Sequence, residues 1–269
     1  MIATSAAFQP AGLLKEYKLS LARVRQIVLV ICLSAGMSLV CWLPAIFETN
    51  ETLSTRIGIS MLGLFVALPV FFGIYQLFRL GGVSLSLYEN GLIYHRRGGQ
   101  EFNTSWEDIE AYIEADGGCR ITKRDGQMVE FGASLEDVVE VIQAVHDQTL
   151  SRMLPLAKAS LHSGGSLQFA GLKPFGKGGP GKGMNNFAFA NAGYRVDAGG
   201  ITGLDDGARI AWNAVKGYGI RTQSMGRVPV DVFFIEDGQT RFQTRLGLLS
   251  NAHLLLALCA ELTGFEPEG

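Results

Sequence analysis

The chain has 269 residues, of which 48% are hydrophobic, and a formal net charge of −2. Its four histidines are scattered, and no His or Cys pair has the spacing of metal ligands, so the sequence predicts neither a metal site nor a cofactor. No nucleophile motif and no pair of catalytic carboxylates stands out. We therefore expect no catalytic residue and no enzymatic activity.

Residues 1–25 form a basic segment ahead of the first apolar stretch. Leu13, Tyr17, Leu21 and Val24 recur at helical spacing, with lysine and arginine residues beside that stripe. An amphipathic helix of this kind can lie on an anionic membrane surface on the cytoplasmic side. The alternative is a frayed tail that supplies only positive charge.

Two charge-free stretches follow, residues 26–47 and residues 57–78, separated by nine residues. At about 1.5 Å per residue, each stretch gives a helix of roughly 33 Å, which is enough to cross a hydrocarbon core of about 30 Å. We therefore predict a transmembrane helical hairpin over residues 26–78. The first stretch is too long and begins too late in the chain for a cleaved signal peptide.

The charges that flank the hairpin predict its orientation. Lys15, Lys18, Arg23 and Arg25 precede the first span, against Glu16 alone, whereas the connecting loop has two glutamates and one arginine. Loops retained in the cytoplasm carry an excess of Lys and Arg. We expect both termini to be cytoplasmic.

An internal repeat organises the remainder of the chain. The same aromatic, branched and aromatic residues stand at identical offsets in two copies: Trp106, Ile109 and Tyr112, and then Trp212, Val215 and Tyr218. Each set follows an extended pair broken by glycine and precedes an Asp-Gly dipeptide, which is typical of a tight hairpin turn. We expect the six residues to be structural core, with the two tryptophans in equivalent strands.

A single helix is expected after the strands of each copy. Ser134 is placed to cap a helix whose apolar face continues up to Pro155. The second helix is expected to begin near Asn251 and to end at Gly264, which favours a left-handed C-cap.

Residues 87–92, 106–109 and 125–126 resemble an uncharacterised family of bacterial membrane proteins that couples transmembrane helices to pleckstrin-homology-like domains. The resemblance implies an α+β fold in which the hairpin precedes two tandem modules, at residues 81–155 and 161–265. Each module would be a β-barrel or sheet closed by a C-terminal helix. The resemblance also implies the bacterial inner membrane, but the family has no established activity to transfer.

A Gly/Lys-rich loop, residues 171–186, interrupts the second copy. Five basic residues in or near the loop are candidates for contact with an anionic surface: Lys173, Lys177, Lys182, Arg152 and Lys158. Part of the loop matches a phosphate-binding loop, but Gly183 replaces the Ser or Thr that would hold magnesium, so nucleotide hydrolysis is not predicted. A solvated flexible linker is the alternative.

The two copies differ in the sign of their charge. Residues 81–150 carry thirteen acidic and five basic side chains, a net of −8, whereas residues 151–269 carry nine and twelve, a net of +3. This asymmetry favours binding. We predict a membrane-anchored, non-enzymatic adaptor or regulatory protein that binds a protein partner, anionic lipid headgroups or both, and no nucleic acid. The alternative is an accessory subunit, or an enzyme or transporter component with a site between the modules.

Overall fold

The computed structural model describes residues 8–47, 53–96, 100–115, 118–132, 134–174, 187–225 and 228–267. Within these residues the chain is α+β, with two long apolar helices and four antiparallel sheets, none of which closes into a barrel. The chain divides into two compact units. The hairpin unit comprises Pro10–Asn103 and Ser134–Asp137, and the main unit is formed mostly by Thr104–Ala133 and Val138–Gly269.

The hairpin unit holds one four-stranded sheet and both apolar helices. Its elements are β1 Leu13–Lys18, α1 Leu21–Phe47, α2 Leu53–Leu80, β2 Ser84–Tyr88, β3 Gly91–Arg96 and β4 Gln100–Ser105. The strands lie side by side in chain order, so each pairs with its neighbour in sequence. The extended pair expected around Gly91 is the β2–β3 hairpin.

The strand β1 corrects the expectation for residues 1–25. Leu13–Lys18 is neither an amphipathic helix nor a frayed tail, because it pairs with β2, and Tyr17 is only 2% exposed. Residues four apart share one face of a helix but also one face of a regular strand, although an irregularity in β1 between Leu13 and Lys15 leaves Leu13 60% exposed. The spacing was therefore compatible with both structures, and the pairing with β2 decides between them.

α1 and α2 are long and apolar enough to cross a membrane, over Leu21–Leu43 and Met61–Phe78. None of the most apolar window of α1, and 11% of that of α2, is buried inside the protein. A core helix of a soluble domain would be mostly buried. The exposed apolar surface of the two helices is instead compatible with a lipid environment.

The two helices are inserted between adjacent strands of one sheet. β1 ends at Lys18 and β2 begins at Ser84, and these two residues are register partners. The chain thus leaves the sheet and returns to it at the same end. Both ends of the hairpin consequently lie on the same side of any membrane that it crosses. The sequence had placed the hairpin before the first copy of the repeat, not inside it.

Small residues allow α1 and α2 to approach closely. Ser38 Oγ donates a hydrogen bond of 3.0 Å to the carbonyl oxygen of Gly63. A Cβ added at Gly63 would overlap the indole of Trp42, and one added at Gly73 would lie 2.5 Å from Ile31 Cγ1. The helices therefore pack at a distance that only glycine permits at these two positions.

The close approach predicts that Gly63→Val destabilises the hairpin. We expect a loss of about 1–3 kcal/mol in the free energy of unfolding, since the valine forces Trp42 out of place. The measurement is detergent-induced unfolding of the full chain followed by circular dichroism. Gly36→Val is the matched control, because a Cβ at Gly36 meets nothing within 4 Å. Equal stability of the two variants would contradict the packing.

The main unit contains three sheets and two helices. Its elements are β5 Ile109–Ala115, β6 Gly118–Lys123, β7 Met128–Gly132, α3 Val138–His162, β8 Ser166–Pro174, β9 Phe187–Asp197, β10 Gly200–Gly203, β11 Arg209–Ala211, β12 Gly217–Met225, β13 Val228–Glu236, β14 Arg241–Arg245 and α4 Ala252–Thr263. The sheets have the orders β5-β6-β7, β11-β10-β9-β8 and β12-β13-β14.

The order of elements repeats along the chain. Four strands in one sheet, a 3₁₀ turn, three strands in a second sheet and one helix occur first as β1–β4, β5–β7 and α3. The same order recurs as β8–β11, β12–β14 and α4. The first copy differs by the apolar hairpin between its first two strands.

Both tryptophans of the repeated motif begin 3₁₀ turns, Trp106–Asp108 and Trp212–Ala214. The expectation that they lie in strands is therefore wrong, although their positions between the two sheets are equivalent. Ser105 Oγ accepts from the Asp108 N–H at 3.1 Å, which stabilises the first turn against an extended conformation. Trp212 Nε1 donates to the carbonyl of Asp197 at 2.9 Å, which holds the second ring in the core.

α3 differs from its expected bounds at both ends. It begins at Val138, since Asp137 has a φ of 51° and Ser134 belongs to the hairpin unit, where its carbonyl accepts from the Ser20 N–H. The capping role expected of Ser134 is therefore wrong. α3 also continues beyond Pro155 to His162. A proline costs one backbone hydrogen bond in a helix, but Ala157 and Leu161 in the last turns of α3 are buried in the core of the second copy.

Candidate functional site

The five predicted cationic contacts are not brought together in the described part of the chain. Lys177 and Lys182 lie outside the described residues, and Lys173 belongs to β8. Arg152 and Lys158 are on α3. Lys158 Nζ lies 2.7 Å from Glu261 Oε1 of α4 and so links the two helices.

The six residues expected to be structural core all lie inside or against it. Val215 is partly buried against the core of the second copy, and the other five are buried: Trp106, Ile109, Tyr112, Trp212 and Tyr218. Tyr112 has a further role, because its backbone and its ring both contact residues of the second copy. Sequence reasoning missed that role.

Asn251 binds the outer edge of β5. The N–H of Tyr112 donates to Asn251 Oδ1 at 2.8 Å, and the backbone N–H of Asn251 donates to the Tyr112 carbonyl at 2.8 Å. Asn251 Nδ2 donates to the Glu110 carbonyl at 3.0 Å. Asn251 has φ 53° and ψ 35°, a left-handed conformation that asparagine tolerates better than most residues. One residue thus takes the place of a neighbouring strand.

Three rings pack beside this asparagine. Those of Tyr112 and His253 lie 4.8 Å apart edge to face, those of His146 and His253 lie 5.0 Å apart edge to face, and those of Tyr112 and His146 are stacked at 6.3 Å between centroids. Thr149 Oγ1 lies 3.2 Å from His253 Nε2. We call Tyr112, His146, Thr149, Asn251 and His253 the joint, since they connect β5 and α3 of the first copy to α4 of the second.

His253 is held neutral in the joint. Thr149 Oγ1 lies 2.9 Å from each of two carbonyl oxygens of its own helix, to which it donates, so the proton of His253 belongs on Nε2. His253 Nδ1 is then a buried acceptor without a hydrogen-bond partner among the described residues. Burial, together with the nearby His146, lowers the pKa of His253 to about 3. Burial also raises the pKa of the Tyr112 hydroxyl above its ordinary range.

The joint could not be found from the sequence. His146 and His253 are far apart in the chain and were interpreted as scattered histidines. The one available signal is that both stand on the apolar-striped helices that end the two copies. A helix-to-helix contact at that separation depends on how the copies pack, which periodicity does not encode.

A second polar surface lies on the outer face of β12–β14. Cross-strand pairing places Arg221 opposite Val232 and Val232 opposite Arg245, and the pair Glu236 and Arg241 stands on the same face. We call the side of β12–β14 that carries Arg221, Arg241 and Arg245 the arginine face. The alternate residues of these strands, among them Tyr218, Phe233 and Ile235, form the core on the other side.

The arginine face is organised around Phe234. Arg221 Cζ lies 3.9 Å and Arg241 Cζ 5.5 Å from the centroid of its ring, and the ring is 0% exposed. Arg241 Nε lies 3.3 Å from Glu236 Oε2. With its amide turned so that the oxygen faces Arg241, Gln243 accepts from Nε at 2.9 Å and from Nη2 at 2.8 Å. These contacts hold the guanidinium groups in place over the ring.

No protein-family model and no curated protein sequence matches the chain. Its function is therefore inferred from the geometry of its own residues. Among the residues that the structure describes, no group of three His, Cys, Asp or Glu side chains is arranged to hold a metal ion. The joint and the arginine face are the two polar arrangements from which a function can be argued.

The hydrogen bonds of Asn251 predict that Asn251→Ala destabilises the main unit. We expect a loss of about 2–4 kcal/mol, because the variant leaves two polar groups of β5 unpaired and places alanine in a left-handed conformation. Asn251→Gly should be less destabilising by about 1 kcal/mol, since glycine adopts that conformation without strain. Denaturant unfolding of the detergent-solubilised chain measures both. Asn213→Ala, at an exposed asparagine, is the control and should be neutral.

The buried His253 predicts that the chain loses stability on mild acidification. In the unfolded chain the pKa of His253 is near the ordinary histidine value of 6.5, whereas in the folded joint its pKa is about 3. The stability contributed by neutral His253 is therefore complete above pH 6.5 and falls as the pH drops below it. We expect a loss of about 1 kcal/mol between roughly pH 7.5 and pH 5.5.

Unfolding of the full chain at the two pH values measures this effect. His253→Gln should abolish most of the difference, whereas His162→Gln, at an exposed histidine, should leave it unchanged. An identical pH dependence in the parent and in His253→Gln would show that other groups titrate.

Proposed function

We propose that the chain is a membrane-anchored, non-enzymatic adaptor. Its hairpin lies in the bacterial inner membrane with both termini in the cytoplasm, and its repeated modules bind a partner at the inner face. The observation that carries this proposal is the insertion of the apolar hairpin between the paired strands β1 and β2. A module built in this way is held at the membrane by two chain connections instead of one.

The location of the hairpin supports a direct attachment rather than a loose tether. Lys18 and Ser84 are paired in the sheet, and α1 begins at Leu21, three residues after Lys18. No long linker separates the sheet from the apolar helix, so the four-stranded sheet stays close to the bilayer. Short connections of this kind raise the effective concentration of a module at the surface to which it is attached.

The orientation rests on charge. Lys15, Lys18, Arg23 and Arg25 lie at the start of the hairpin and Arg79 at its end, and the pairing of β1 with β2 requires these flanks to be on one side. An excess of basic residues on one side favours the cytoplasm. All the strands and helices other than the hairpin would then share the cytoplasmic side.

The repeated order of elements supports a pleckstrin-homology-like architecture for the modules. Four strands, three strands and a C-terminal helix occur twice in the same order. Such modules present large sheet faces and loops for binding, and this chain has few features of a catalytic centre. The Gly/Lys-rich loop, residues 171–186, remains part of the proposal as a surface for anionic lipid or an acidic partner.

One observation favours a second candidate, an enzyme or transporter component with a site between the copies. The joint brings Tyr112, His146 and His253 together between the two copies. However, His253 is only 8% exposed, and burial moves its pKa far below the range in which a general base works at neutral pH. We therefore interpret the joint as structural and keep the adaptor as the first proposal.

The orientation predicts the outcome of reporter fusions. A reporter active only in the cytoplasm should give signal when it follows Gly269 and none when it is inserted at Asn50, because the loop would cross the membrane. Exchange of Lys15, Lys18, Arg23 and Arg25 for Gln should weaken this preference. Signal from the loop fusion alone would show the opposite topology and contradict the cytoplasmic location of the termini.

The adaptor proposal is tested by capture of a partner. The full chain in mild detergent should retain a protein in near-stoichiometric amount that a control lacks. The control is the hairpin, residues 21–80, fused to an unrelated cytosolic protein. If nothing is enriched over this control, a protein partner is excluded under those conditions and the proposal has to rest on lipid binding alone.

A further inference from the structure

We propose that the arginine face binds the anionic headgroups of the membrane in which the hairpin is anchored. This inference rests on the proposed membrane anchoring and names a contact surface that differs from the Gly/Lys-rich loop. It concerns the outer side of β12–β14, where Arg221, Arg241 and Arg245 stand on one face.

The charge of this face is the first argument. It presents three guanidinium groups. The carboxylate on the same face is that of Glu236, whose Oε2 lies 3.3 Å from Arg241 Nε. The side chain of Arg241 is 41% exposed, and Arg245 is exposed. A guanidinium offers parallel N–H donors that match two oxygens of a phosphate group, and lipid headgroups present phosphates in a plane.

The fixed geometry of the arginines is the second argument. Arg221 and Arg241 both lie within 5.5 Å of the centroid of one ring, that of Phe234. Because the ring already restricts both side chains, less conformational entropy is lost when an anion binds.

The apolar side chains nearest the arginines are covered, which favours lipid headgroups over a protein. Phe234 is 0% exposed and Val232 is 4% exposed, whereas Val230, farther along the same side of β13, is only partly buried. Protein interfaces depend on aromatic or aliphatic side chains that become buried at their centre. Arginines grouped around covered apolar side chains suit a surface of anionic headgroups, to which basic residues are attracted electrostatically.

The test uses the full chain in nanodiscs made of neutral lipid alone or with added anionic phospholipid. A donor dye is attached at Gln239→Cys, in the turn that leads into β14, and the acceptor is on labelled headgroups. The native Cys119 and Cys259 are buried, and Cys32 and Cys41 are replaced by Ala. We expect stronger energy transfer in anionic discs, and added salt should reverse it.

The double variant Arg241→Gln/Arg245→Gln should lose the increase in energy transfer that anionic discs give. At the attraction expected for two basic residues at an anionic leaflet, the ratio of bound to free face should fall about thirtyfold. Arg241→Lys/Arg245→Lys should recover part of the loss, since lysine keeps the charge but not the paired donors. Arg124→Gln/Arg195→Gln removes the same charge from exposed positions elsewhere and should behave like the parent. Thermal unfolding checks that each variant is folded.

The outcomes separate this inference from the proposed function. A chain that does not enter nanodiscs contradicts the membrane anchor itself. A chain that enters but shows equal transfer in neutral and anionic discs overturns only the arginine face. Equal loss in the Arg124→Gln/Arg195→Gln control would also overturn it, because the effect would then follow net charge. An acidic protein captured by the parent in neutral discs, and lost by Arg241→Gln/Arg245→Gln, would assign the face to a protein instead.

Discussion

The main unit depends on the way in which one asparagine completes the edge of a strand. β5 is the outer strand of its sheet, so the N–H of Tyr112 and the carbonyls of Glu110 and Tyr112 have no neighbouring strand to bond. Asn251 satisfies all three from a left-handed turn that also starts α4. Because unpaired backbone groups in the interior are costly, the second copy is required to complete the sheet of the first. The tandem arrangement is thus an integrated structure.

The insertion of the hairpin imposes a comparable constraint on the other unit. Two paired residues, Lys18 and Ser84, must both connect to apolar helices, so the helices must be antiparallel and close together at that end. Gly63 and Gly73 permit the close packing that this requires. A hairpin with bulky residues at those positions would separate the helices and pull on the β1–β2 pairing. Basic residues flank both ends of the hairpin, and in the proposed anchoring both ends would meet the same side of the membrane.

Local signals in the sequence predicted local structure well. The apolar stretches, the glycine-centred β2–β3 hairpin and the bounds of α4 at Asn251 and Gly264 all depend on nearby residues. The errors concern contacts between distant residues. β1 pairs with β2 across the whole hairpin, and α3 continues past Pro155, where Ala157 and Leu161 are buried in the core of the second copy. The 3₁₀ turns at the two tryptophans are an exception, because the cap that Ser105 gives to the first of them is a local contact. The joint and the arginine face were not predicted, because the first needs the packing of two copies and the second needs the register of three strands.

The two polar arrangements differ in their surroundings, since the joint is buried against the first copy whereas the arginine face lies on the outer side of β12–β14. His253 and Asn251 are buried, uncharged and bonded to the first copy, so changes there alter folding before they alter any surface. Arg241 and Arg245 lie on the side of their sheet that faces away from the core, and their loss removes charge without opening the core. Because the core stabilises β12–β14 from the other side, charged residues on the outer side can be replaced with little effect on the fold. The binding proposed for the arginine face can therefore be tested independently of stability.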